Sequence, residues 1–143
     1  MRCPLLLAVV LILSSPAHAG GANLQAQPAP ELLNQKWSAA WIAPTGQPTR
    51  EYGVHHFRKS FELAQPPERF VVNVSADNRY RLFVNGTPVH IGPARGDIQH
   101  WRFDSLDLAA YLKAGPNVIA AQVWNFGTEG PVAQETDQTA FIL

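Results

Sequence analysis

Short runs of alternating apolar and polar residues dominate the chain from Val54 onward. In Arg69–Ala76 (RFVVNVSA), Phe70, Val72, Val74 and Ala76 fall on one face and Val71, Asn73 and Ser75 on the other. That period of two predicts a half-buried strand. Tyr80–Val84 repeats it, with Tyr80, Leu82 and Val84 opposed to Arg79, Arg81 and Phe83. Asn85-Gly86 supplies the positive-φ residues of a tight hairpin, and Val89–Ile91 is its return strand. Val54–Leu63 alternates less cleanly and stops before Pro66-Pro67. Gly96 allows a reversal before a further short strand, Ile98–Phe103, on which Trp101 and Phe103 share a face. Ser105–Leu112 reads as a helical turn, with Ser105 as N-cap and Gly115-Pro116 as the stop. Asn117–Phe126 is apolar on both faces, which predicts a buried central strand with Trp124 in the core. The closing TAFIL is one more strand. Roughly six to eight short strands without βαβ alternation predict an all-β fold, an antiparallel β-sandwich with one helical turn.

The first residues differ in kind. Met1-Arg2, the apolar run Leu5–Leu13 and Ala17-His18-Ala19 form a secretory signal peptide over 1–19, too short to span a membrane. A secreted or periplasmic location follows. The lone cysteine, Cys3, leaves with that segment, so the mature chain has no disulfide and no thiolate site. Without Arg2, 10 basic residues face 11 acidic ones, and no basic patch points to nucleic acid or a membrane surface. Residues 20–36, rich in Ala, Gln, Pro and Asn, read as a flexible leader in which Glu31-Leu32-Leu33 can form one turn. The packed domain is expected over 37–143, with Trp37 and Trp41 sealing one end. Because it closes on Phe141-Ile142-Leu143 without a polar tail, we read it as part of something longer.

Few residues carry chemistry. The acidic residues recur in no spaced motif, whereas glycoside hydrolysis needs two carboxyls about 5–10 Å apart. His55 and His56 are strand neighbours and point to opposite faces, so they cannot chelate one metal. Asp77-Asn78 suits an Asx turn before a strand, with sugar hydroxyl contacts as the functional alternative. Trp101 offers a ring face on which a sugar can stack. Arg95-Gly96-Asp97 spells an adhesion triplet, but three residues are a weak motif. Arg95, Asp97 and His100 are better candidates for a sugar or interdomain contact, in a set with Asp77, Asn78 and Trp101.

Ser75–Gly86 (SADNRYRLFVNG), Gly92–Trp101, the segment Asp107–Val118 and Val123–Gly127 together resemble the N-terminal β-sandwich of bacterial α-L-rhamnosidases. The pattern D-N-x-Y-x-L-x-V-N-G … D-L-x-x-Y-L-x-x-G-x-N-V also occurs in accessory sandwiches of β-galactosidases and β-glucuronidases. The resemblance covers about Trp37–Leu143 and implies a galactose-binding-like jelly roll. In that family the domain precedes an (α/α)6 barrel holding both catalytic carboxylates, and no position here matches them. It therefore implies a non-catalytic accessory domain of an enzyme acting on terminal α-L-rhamnosides, with rhamnose-containing glycans and a missing C-terminal barrel as partners. A free-standing carbohydrate-binding module is the alternative. No cofactor is expected. Related sandwiches hold calcium on loop oxygens, for which Asp77, Asn78 and Asp97 are the candidates, although no calcium-loop motif is present.

Overall fold

The computed structural model describes residues 24–143; the signal peptide read at 1–19 lies outside the described residues. Seven strands form there: β1 (Gly53–Leu63), β2 (Val71–Ala76), β3 (Arg79–Val84), β4 (Thr87–Gly92), β5 (Asp104–Asp107), β6 (Gly115–Asn125) and β7 (Phe141–Ile142). They make two antiparallel sheets, ordered β1-β6-β3-β4 and β5-β2-β7. The fold is an antiparallel β-sandwich.

Alternation decides what lies between the sheets. Tyr80, Leu82 and Val84 of β3 and Ile119, Ala121 and Val123 of β6 face Val72, Val74 and Ala76 of β2, Leu106 of β5 and Phe141 of β7. Phe57 stacks on Phe141 with ring centroids 5.4 Å apart, and Phe61 stacks on Phe70 at 5.8 Å. Tyr80 is fully buried, and its hydroxyl donates to Asp104 Oδ2 at 2.6 Å. Burial, and then the Asp104 carboxylate, push its phenol far above its usual range. Gly92 passes so close to Asp104 and Tyr80 that a methyl group there would collide with both.

The hairpin is built as its residues predict. Asn85 (φ 50°) and Gly86 (φ 83°) both take the left-handed conformation between β3 and β4. The Asn85 side chain does more than turn the chain. Its amide donates to Tyr111 O and Asn117 Oδ1, both at 2.9 Å, and its Oδ1 accepts from Val118 N–H at 2.9 Å. Asn117, 1% exposed, accepts from Lys113 N–H and donates to Lys113 O and Gly115 O. Two asparagines thus bind the loop before β6 to the β3–β4 hairpin.

Four expectations need correction. Residues 105–112 are not one helical turn, and Ser105 is not its N-cap. Asp104–Asp107 is a strand, because β2 requires a partner opposite Val71–Val74, and a single 3₁₀ turn follows at Ala109–Tyr111. Ser105 Oγ donates to Asn73 Oδ1 at 2.7 Å, while Asp107 Oδ1 accepts from Ala109 N–H (3.1 Å) and Phe70 N–H (3.0 Å). These backbone donors, Phe70 foremost, hold the Asp107 carboxyl below its ordinary range. Ile98–Phe103 is not a strand: Asp97–His100 closes a turn and 101–103 runs irregularly. Trp124 is not core. It belongs to the other parity of β6 from Ile119, Ala121, Val123 and Asn125, so it lies half-buried on the outer face. The described part of the leader is not loose. Ala26 N–H donates to Ser105 O (2.8 Å) and Asp107 N–H to Leu24 O (2.9 Å), covering the open edge of β5, while the single turn expected at Glu31-Leu32-Leu33 does form, as a 3₁₀ turn over Pro30–Leu33.

Because Leu82 is fully buried on a central strand, Leu82→Ala is expected to cost about 2–5 kcal/mol of unfolding free energy, as measured by urea denaturation.

Candidate functional site

One end of the sandwich gathers the β2–β3 corner, the chain leaving β6, the segment entering β7, and two loops bearing tryptophans. Its organising group is the Asp77 carboxylate, which is 4% exposed. Asp77 Oδ1 accepts from Asp137 N–H at 3.0 Å. Oδ2 accepts from Asn78 Nδ2 (3.2 Å), Asn125 Nδ2 (3.3 Å) and the Thr136 hydroxyl. Its backbone N–H donates to Ala140 O at 3.0 Å. Asn78 Oδ1 accepts from Phe126 N–H (3.0 Å) and Asn125 Oδ1 from Gly127 N–H (2.7 Å). Gly127 (φ 56°) runs against Tyr52, where a Cβ would approach Tyr52 N to 2.5 Å. One carboxylate therefore ties three separate stretches of chain together.

Above it, Trp41 and Trp101 meet with ring centroids 5.8 Å apart, inclined at 58°. The two indoles, Asp77, Asp137, Gln138 and Ala140 enclose a cavity of about 230 Å³. Pockets for drug-sized ligands measure about 300–1,000 Å³, so this smaller space suits a single sugar residue. The same tryptophans also line a larger groove of about 820 Å³, together with Leu32, Trp37, His100, Phe103 and Ile142 among others. Trp37 is fixed there by an edge-on contact with Phe103 at 5.0 Å and by donation from Nε1 to Leu32 O at 3.1 Å.

The candidate residues separate. Asp77 and Trp101 come together in the small cavity, and His100 lines the groove. Asn78, 2% exposed, is occupied in holding Phe126. Asp97 closes its own turn: Oδ1 accepts from Gln99 N–H and His100 N–H at 2.9 Å, and the His100 ring lies against both oxygens at 2.9 and 3.0 Å. Those donors, the Gln99 N–H foremost, keep the exposed Asp97 carboxyl below its ordinary range. Arg95 is exposed, lines neither cavity, and does not pair with Asp97. Among the described residues no group of three or more His, Cys, Asp or Glu gathers as a metal site. Pattern alone missed Trp41, Asn125, Thr136 and Asp137. Trp41 was visible only as an aromatic at the domain's edge, and the other three have no local signal.

No protein-family model matches the chain, and no curated protein matches it. Solved structures do. A GH78 family rhamnosidase from Bacillus sp. GL1 aligns with a TM-score of 0.67 and 30% identity over 76% of this chain. The chain resembles a domain of the GH78 rhamnosidases. An α-L-rhamnosidase from Dictyoglumus thermophilum (TM-score 0.53, over 73% of this chain) and one from Aspergillus terreus (0.52, over 80%) share the fold at 19% identity. The chain spans 12–14% of the length of these rhamnosidases, as a domain of a larger enzyme would.

Burial, outweighing its hydrogen bonds, raises the Asp77 pKa above its ordinary 3.8. The folded state then holds a proton that the unfolded state has released, so this group's contribution to stability falls as pH rises from 3.8 through the raised value. Carboxyl NMR titration is expected to place the Asp77 midpoint above 3.8. Asp77→Ala strands several buried donors, and is expected to cost about 1–3 kcal/mol or more in denaturant unfolding at neutral pH.

Proposed function

We propose that this chain is a non-catalytic accessory β-sandwich of a secreted α-L-rhamnosidase-type glycoside hydrolase, positioning the terminal α-L-rhamnosides that the parent enzyme hydrolyses. The observation that carries this reading is that two indoles share a space the size of one sugar with the polar side chains of Asp77, Asp137 and Gln138. A deoxysugar presents C–H groups to an aromatic face and hydroxyls to polar side chains; the indoles offer the first, and Asp137 and Gln138 the second. The two carboxylates in it are not arranged for bond cleavage. Asp77 is saturated by four donors, and Asp137 pairs with Arg50 at 3.1 Å. A glycosidase instead needs one carboxyl free to give a proton and another free to attack or to activate water. The larger GH78 chains in which such a domain is found, and the signal peptide read in the sequence, support the setting in a secreted multidomain enzyme.

Calorimetric titration with methyl α-L-rhamnoside is expected to show saturable binding at about millimolar concentration, reduced about tenfold or more by Trp101→Ala. No 4-nitrophenol release from 4-nitrophenyl α-L-rhamnoside is expected. Absence of saturation, or a Trp101→Ala protein that binds unchanged, removes the sugar-positioning role, and turnover by the chain alone removes the accessory one.

A further inference from the structure

The outer face of the four-stranded sheet carries a second, unassigned arrangement. Strand register places its outward residues in three rows. Val54, Trp124 and Arg79 lie side by side; next come His56, Gln122, Arg81 and Ile91; then Arg58, Ala120, Phe83 and Pro88. Neighbours within a row are about 4.8 Å apart and successive rows about 7 Å. The middle row is linked, with Gln122 Nε2 donating to His56 Nε2 at 3.3 Å.

Three guanidiniums thus share this face, and among the described residues none has an ion-pair partner. By register the acidic residue of the outward β1 positions is Glu62, two rows beyond Arg58 and opposite Pro116. The Arg79 Nε is shielded from solvent and bonds to nothing. In a chain with as many acidic as basic residues, this local excess of cations is an asymmetry in placement. A protein-docking face has an apolar centre and a polar rim. Here polar groups are not confined to the rim: His56, Gln122 and Arg81 cross the middle row, while the exposed apolar Val54 (45% exposed) and Ile91 (49% exposed) stand on the two edge strands. A polar row flanked by cations, with the half-buried Trp124 ring beside it, suits a linear ligand carrying hydroxyls, carboxylates and a stackable ring face.

We propose that this face binds a carboxylated glycan, a chain of uronate sugars laid across the strands, with Arg79, Arg81 and Arg58 taking carboxylates and Trp124 a sugar ring. The site is separate from the Trp41–Trp101 cavity and does not depend on it.

The test is titration of the full chain with oligogalacturonate at low ionic strength, beside its methyl ester and polyglutamate of matched length. Binding is expected for oligogalacturonate, weaker by about tenfold for the uncharged ester and for polyglutamate, and weakened about fivefold or more by Arg81→Gln, Arg58→Gln and Trp124→Ala. Circular dichroism confirms that each variant is folded, and Trp101→Ala is expected to leave this binding unchanged. No binding, or loss in none of the three sheet variants, overturns the proposal. Polyglutamate binding as tightly as the sugar overturns it in favour of an acidic protein partner.

Discussion

A single buried carboxylate sets the geometry at one end of this sandwich. Asp77 leaves water at the corner between β2 and β3, a costly move for a charge unless donors surround it. The donors come from Asn78 beside it, from Asn125 at the end of β6, and from Thr136 and Asp137 on the way to β7. Two of these donors, Thr136 and Asp137, belong to the long connection between β6 and β7. Satisfying one group therefore anchors the chain at Asn125 and again over Thr136–Ala140, which brings Asp137, Gln138 and Ala140 to the small cavity.

The opposite end solves the same problem with neutral groups. Asn85 donates to Asn117, and both hold the backbone around Lys113–Val118. Between these two polar clamps the facing residues of the two sheets are largely apolar, apart from the buried Tyr80–Asp104 pair. The aromatic cavity occupies one end. The cationic row occupies the outer face of the larger sheet, where alternation sends Arg79, Arg81 and Arg58 away from the core.

The motif residues that make this chain look like a rhamnosidase domain are largely its skeleton. Asp77, Asn78, Tyr80, Asn85, Asp107 and Asn117 each bind backbone or a buried partner in the fold. Sequence reading recovered β2, β3 and the Asn85-Gly86 hairpin because local alternation and turn chemistry act within ten residues or so. It misread Asp104–Leu112, whose helix-like composition gives way to the pairing demand of β2. It also misread Trp124, since an apolar strand in a sheet covered on one side still has an outer parity. The described leader residues looked loose by composition, yet the open edge of β5 supplies hydrogen bonds that composition cannot display.

The sequence alone determined the class of fold, the main strands and their inward faces, and the turn at Asn85-Gly86, because those depend on side-chain period and local backbone preference. It also carried the resemblance to the rhamnosidase sandwich through residues that bind backbone. Only the tertiary structure decided that Trp41, sixty residues from Trp101, stands beside it over Asp77, and that three arginines on two strands share one unpaired face. Those juxtapositions follow from sheet order and from loops drawn in by a buried charge, and neither leaves a local mark in the chain.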